Sequence, residues 1–178
     1  MAAHGVYDYT PTQAEMVRFY GLYRCSLMNR TYHSRKVKRA RTWSSLAETI
    51  AALAASSAVG SLAIWKTSVG GLFLTGLLLT SAIASVARSA FRLSENLDRY
   101  SRLAYAWSEM SLDMERVIAA VRRQGTMTDV LRSQVDYLSQ RFQRIEMSDN
   151  TEDRDAMLRI QDEVDISVPP DSLWLPSV

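Results

Sequence analysis

The chain has 178 residues, a formal net charge of +2, one cysteine and two histidines. A single cysteine cannot form an intramolecular disulfide, which excludes a secreted fold stapled by such bonds. The sequence also has no glycine-rich phosphate loop and no set of cysteines and histidines with metal-site spacing. These features predict a protein that is not an enzyme and that carries no cofactor and no metal.

The first predicted element is an amphipathic cytoplasmic helix over residues 11–41. Its apolar and aromatic positions form one stripe, which consists of Met16, Phe19, Tyr20, Tyr23 and Leu27. Cys25 and His33 also lie on this helix, but a separation of eight residues places them about 12 Å apart along its axis. An inert thiol and a surface histidine are therefore favoured over a catalytic dyad.

Charge is distributed unevenly along the chain. Residues 1–43 contain eight Lys/Arg against two acids, whereas residues 148–178 contain eight acids against two arginines. The cations closest to the first apolar stretch form a basic cluster, which consists of Arg35, Lys36, Lys38, Arg39 and Arg41. Such a cluster fits contact with anionic lipid or with the phosphates of a nucleotide signal. Duplex nucleic acid is not expected as a partner, because no recognition motif accompanies the cluster.

Two apolar stretches follow, and they predict transmembrane helices over residues 44–66 and 68–90. A helix needs roughly 20 apolar residues to cross a membrane, and both stretches are that long. The first is rich in Ala and Ser and contains Glu48, whereas residues 69–87 carry no charge. We expect the pair to insert together as a hairpin. The alternative, a hairpin buried in a soluble bundle, would need more protein than 178 residues to cover two helices that are apolar on nearly every side.

Positive charges predict the orientation of this hairpin. The basic cluster precedes it, Arg88, Arg92 and Arg99 follow it, and Lys66 alone lies in its turn. Positively charged flanks stay in the cytoplasm, so both termini are expected there.

The first predicted span has a face of small and polar residues. Its members are the candidate pore-lining residues Glu48, Thr49, Ala52, Ser56 and Gly60. A face of this kind supports either close helix packing or the wall of a water-filled pore. Glu48 is accordingly expected either to form an ion pair with Arg88 or to belong to a ring of acids that selects cations.

Residues 91–147 predict a cytoplasmic helical hairpin. Apolar residues recur at spacings of four and three, which is typical of helices that pack along one seam. Gly125 supplies a helix stop, and Thr126 or Thr128 a cap for the next helix. Two helices cannot enclose an aqueous path, so we expect a homo-oligomer, most simply a tetramer. The seam residues predicted to hold it together are Leu97, Tyr100, Trp107, Met114, Leu131, Leu138 and Phe142.

Residues 148–178 form an acidic C-terminal tail with at most one short helix, which Pro169 and Pro170 interrupt. The final apolar triplet, residues 173–175, is expected either to fray or to dock on a neighbouring subunit.

The order of these elements, together with the stretch FRLSENLDRYSRLAY over residues 91–105, resembles the SLATT family of bacterial two-transmembrane proteins. The resemblance covers roughly residues 11–147. It implies an effector of an antiphage conflict system in the bacterial inner membrane, which forms pores or channels that compromise that membrane when a nucleotide second messenger or another sensor is triggered. The messenger or its synthase is then an expected partner. The family pattern contains no catalytic residue.

The fold class predicted from sequence is thus an all-α membrane protein, in which a two-helix transmembrane hairpin joins long cytoplasmic helices that form an oligomeric bundle. Its expected partners are membrane lipid and further copies of itself. Two functions stay open. One is an oligomeric pore or ion channel gated through its cytoplasmic helices, and the other is a membrane-anchored coiled-coil interaction scaffold without a pore.

Overall fold

The computed structural model describes residues 9–59, 93–149, 153–169 and 173–176. Four helices lie in these ranges: α1 (Pro11–Val59), α2 (Leu93–Gln124), α3 (Asp129–Ser148) and α4 (Arg154–Ser167). The all-helical prediction is confirmed for this part of the chain. Its residues divide into two compact units, one up to Ser34 and from Arg102 onward, the other over Arg35–Ser101.

The membrane part of the predicted fold class is wrong for the helices that are described. None of them combines the length and the apolar character that a membrane span requires. The helix predicted over residues 11–41 continues as α1 to Val59, and this continuation takes in the beginning of the predicted first span. The apolar part of α1 nevertheless starts only after the basic cluster, near Leu46, and a span needs about 20 apolar residues. The predicted second span, residues 68–90, lies outside the described residues.

The turn between α2 and α3 confirms the predicted helix stop and cap. Gly125 has a φ of 72°, a left-handed conformation that favours glycine, and its backbone N–H donates to the Val121 carbonyl at 2.9 Å. The Thr128 hydroxyl then accepts from the backbone N–H of Leu131 at 3.4 Å and caps α3. The chain therefore reverses between the two helices.

A main core joins α1, α2 and α3 within the first unit. The helices meet because each carries apolar residues at intervals of three and four, which place them on one face. Burying a large apolar side chain contributes about 1.5–3 kcal/mol, so this face is the main source of stability. The core consists of Met16, Phe19, Tyr20, Leu103, Trp107, Met110, Met114, Val117, Val121, Leu131, Val135, Leu138 and Phe142.

Ion pairs align these helices at the edge of the core. Arg141 of α3 reaches Glu109 at 2.5 Å and Asp113 at 3.0 Å, both on α2. Arg132 of α3 lies 3.4 Å from Glu15 of α1. The early part of α3 is therefore close to the early part of α1, whereas its late part is close to the middle of α2.

Helix α4 packs against α1 of the first unit through a second, smaller apolar cluster. Ile160 and Val164 pack against Tyr32 of α1, and Arg24 forms an ion pair with Asp165. The side chain of Asp153 caps the helix by accepting from the backbone N–H of Ala156 at 3.3 Å. The order of these contacts shows that α4 runs antiparallel to α1.

The last described segment packs on the chain's own core. Leu173, Trp174 and Leu175 contact the main core, and Pro176 is buried. The Pro176 carbonyl accepts from the Gln13 side-chain amide at 3.2 Å. The expectation of a frayed tail is therefore wrong for residues 173–176, which pack on the core of their own chain. Docking on a neighbouring subunit stays a prediction.

Candidate functional site

The basic cluster lies on α1 within the second unit. Arg35, Arg39 and Arg41 are exposed along with Lys38, and Lys36 is half-buried. Residues at intervals of four, four and three share one face of a helix with 3.6 residues per turn. That spacing aligns two of these arginines with two large apolar residues, and we call this face the Arg–Trp stripe: Arg35, Arg39, Trp43 and Leu46.

The stripe exposes cations and apolar groups side by side. Trp43 is 58% exposed and Leu46 is 49% exposed. Arginine is attracted to anionic lipid headgroups, tryptophan prefers the membrane interface, and leucine is stabilised when it leaves water. The stripe therefore has the chemistry to contact a surface that is both anionic and apolar.

The candidate pore-lining residues occupy a different part of the α1 surface. Glu48, Thr49 and Ala52 are exposed. The Thr49 hydroxyl donates to the Ser45 carbonyl of its own helix at 2.9 Å, and the Ser44 hydroxyl donates to Glu48 at 3.3 Å. The Ser56 side chain, Gly60 and Arg88 lie outside what the structure describes, so the pore lining and the Glu48–Arg88 ion pair stay predictions.

The residues predicted to form the oligomer seam lie in both units. Leu97 and Tyr100 are half-buried in the second unit. The remaining five, Trp107, Met114, Leu131, Leu138 and Phe142, are buried in the main core of the first unit. Within one chain these five therefore hold α2 against α3, and their role between copies stays a prediction.

The first unit contains a buried polar cluster that sequence reasoning missed. His33 is fully buried, and its Nε2 lies 2.6 Å from Oδ2 of Asp149, whose side chain is 7% exposed. The indole N–H of Trp107 donates to the same carboxylate oxygen at 3.1 Å. The prediction of a surface histidine is therefore wrong, because Asp149, directly after α3, supplies a partner inside the bundle.

A cavity of about 270 Å³ adjoins this cluster. Of its seven lining side chains, three contain sulfur, one is an indole, and three are polar or acidic. The lining residues are Cys25, Met28, Asn29, Trp107, Glu146, Asp149 and Met157. All seven belong to the first unit.

The cysteine at this cavity is poorly suited to nucleophilic attack. Although the Cys25 residue is exposed, burial around its thiol raises the pKa of that thiol, and the negative charge of Glu146 raises it further. The positive charge of Arg24 opposes this shift only in part. The thiol is therefore protonated at neutral pH, whereas the thiolate is the nucleophilic form. Among the described residues, no group of three or more His, Cys, Asp or Glu could hold a metal ion.

Comparison with known proteins gives no relative: no protein family, no curated protein and no solved structure matches the chain. The resemblance to the SLATT family stays a prediction. The same holds for the antiphage role and the inner-membrane location that the resemblance implies.

Proposed function

We propose that the chain is an interaction scaffold that works at the surface of a membrane. The Arg–Trp stripe attaches the chain to anionic lipid, and the first unit presents contact surfaces to further copies of the chain. The observation that carries the proposal is the exposure of two arginines, a tryptophan and a leucine on one face of α1. A helix face with this composition is stabilised at a lipid interface by charge attraction and by apolar burial together.

The stripe supplies a weak, reversible attachment. Each arginine near an anionic surface contributes about 1 kcal/mol. Complete burial of a leucine contributes about 1.5–3 kcal/mol, so burial of the exposed half of Leu46 adds roughly 1 kcal/mol. Trp43 adds interfacial contact through its ring. Attachment of this strength weakens as salt screens the arginines.

Exposed apolar residues on the first unit support the second half of the proposal. Tyr105 and Leu112 are 71% and 46% exposed and lie seven residues apart on α2. Val130 and Tyr137 repeat that spacing on α3 at 69% and 56% exposure. Apolar groups seven residues apart lie on one helix face, as helix-to-helix contacts require. These faces are surfaces for assembly that the intramolecular core leaves open.

Vesicle co-sedimentation tests the lipid half of the proposal. The full chain should bind vesicles containing phosphatidylserine more tightly than vesicles of phosphatidylcholine alone, and added salt should reduce the difference. Arg39→Gln should weaken binding to the anionic vesicles about fivefold, which corresponds to about 1 kcal/mol. Arg123→Gln, a change at an exposed arginine of α2 outside the stripe, is the matched control and should leave binding unchanged. Equal binding to both vesicle types would contradict the proposal.

Two functions predicted from sequence have weaker support. The pore hypothesis depends on Ser56 and Gly60, whose surroundings the structure does not describe. It also depends on an oligomer that no observation establishes. A nucleotide messenger rests on the basic cluster, whose alignment with Trp43 and Leu46 favours lipid. Both stay predictions, and ion release from the same vesicles tests the first of them.

A further inference from the structure

The cavity beside His33 and Asp149 combines apolar walls with acidic groups. Met28 and Met157 supply thioethers, and Trp107 supplies an indole edge. Glu146 and Asp149 supply carboxylates, and Asn29 an amide. We propose that this cavity binds a small organic ammonium ion, which is a primary amine carried on a short alkyl chain.

The charge of the lining favours a cation. Glu146 is exposed, and in the part of the chain that the structure describes its carboxylate has no hydrogen bond and no ion pair. Its charge reaches the cavity, since it acts on the Cys25 thiol, which itself stays uncharged at neutral pH. The neighbouring cation Arg24 is engaged by Asp165. An ammonium group beside Glu146 would therefore meet an acid to which no other described residue is bonded.

The buried end of the lining is already organised. The Asp149 carboxylate accepts from Trp107 at 3.1 Å and lies 2.6 Å from His33, so its position is fixed. Thioether and indole groups beside it suit methylene groups, because methionine fills irregular apolar space and adapts to its contents. The arrangement therefore offers apolar groups beside the alkyl chain, with the Glu146 carboxylate on the exposed side and the Asp149 carboxylate on the buried side.

Size limits the ligand further. The cavity has a volume of about 270 Å³, which is at the small end for pockets that hold organic ligands. A short diamine fits this space. A nucleotide would bring its phosphates against two carboxylates, so the charge of the lining disfavours the predicted nucleotide messenger at this cavity.

Methyl NMR of the purified full chain, with ¹³C in the methionine methyl groups, tests the proposal without any lipid. The probes are 1,4-diaminobutane and 1,4-butanediol, which share a carbon chain and differ in charge. The diamine should shift the methyl signals of Met28 and Met157 in a saturable manner, and the diol should not. The remaining methionines, out of eight in the chain, report non-specific ionic effects. Signals are assigned with single Met→Leu variants.

Two variants decide the role of charge. Glu146→Gln should weaken diamine binding about fivefold, the loss expected for one partly exposed ion pair. Asp136→Asn, which changes another exposed acid on α3, should leave the affinity unchanged. Equal shifts with the diol, equal affinity after Glu146→Gln, or an absence of shifts at the two methyl groups across the millimolar range would each overturn the proposal. Because the assay contains no vesicles, its outcome is independent of attachment through the Arg–Trp stripe.

Discussion

Asp149→Ala removes only a small side chain but should lower the free energy of unfolding of the first unit strongly. The Asp149 carboxylate is 7% exposed and serves both His33, at 2.6 Å, and the Trp107 indole, at 3.1 Å. His33 and Trp107 are themselves fully buried. Removal of the carboxylate therefore takes from each of them a partner that water cannot easily replace.

The expected loss follows from these two contacts. A buried polar group that loses its hydrogen-bond partner costs about 1–3 kcal/mol, and both His33 and Trp107 lose one here. We expect Asp149→Ala to lower the free energy of unfolding by about 3–5 kcal/mol. With a urea dependence of about 2 kcal/mol per molar, the unfolding midpoint should fall by roughly 2 M.

Urea unfolding followed by circular dichroism measures this loss, and Asp113→Ala is the matched control. Asp113 also has two partners, Arg116 at 3.2 Å and Arg141 at 3.0 Å, but its side chain is 27% exposed. Exposed ion pairs contribute about 0–1 kcal/mol, so the control should lose little. Equal losses for the two variants would show that burial does not determine how much the polar cluster contributes to the free energy of unfolding.

Further expectations concern the turn, the tyrosines Tyr20 and Tyr23 at the main core, and the C-terminal segment. Gly125→Ala should cost about 1–2 kcal/mol because of its φ of 72°, whereas Gly21→Ala, inside α1 with open space around it, should stabilise by about 0.5–1 kcal/mol; urea unfolding measures both. Burial raises the pKa of Tyr20 and of Tyr23, so the contribution of these two groups to stability should be constant below about pH 10 and fall as pH rises through their higher folded-state pKa values. Ultraviolet titration alongside unfolding measures this. Trp174→Ala should cost about 1–2 kcal/mol at every protein concentration, since a loss that grows on dilution would instead indicate docking between copies.

Local signals in the sequence were sufficient for the helical hairpin. Gly125 and Thr128 lie where a helix stop and a cap are needed, and both perform those roles. The spacing of apolar residues also identified Trp107 and Met114 as buried. It missed Leu103 and Met110, because a strict four-and-three seam is narrower than the face that a helix buries when it contacts several neighbours.

Contacts between distant residues had no local signal. His33 and Asp149 are 116 residues apart, and neither the helix that carries His33 nor the acidic tail indicates that they meet. The docking of Trp174 on the main core, and the hydrogen bond between Gln13 and Pro176 across 163 residues of sequence, belong to the same class. The cavity could not be foreseen either, since its lining comes from all four helices and the residues that follow α3.

The predicted membrane hairpin failed for a different reason. The lengths of the two apolar stretches predict the hairpin from sequence, whereas the described helix α1 joins the start of the first stretch to a strongly basic segment and is not apolar enough to span a membrane. The result is a helix that exposes Trp43 and Leu46 beside Arg35 and Arg39, which suits contact with a lipid surface.

Attachment through the Arg–Trp stripe is tested most directly by the depth of position 46. Cys25 is the single cysteine, so Cys25→Ser with Leu46→Cys gives one site for a nitroxide label, and Gln140→Cys, an exposed position on α3, gives the control. On anionic vesicles the label at position 46 should become more accessible to oxygen than to a water-soluble nickel chelate, whereas the label at position 140 should stay accessible to the chelate. A label at position 46 that keeps the same accessibility to the chelate with and without vesicles would contradict the account.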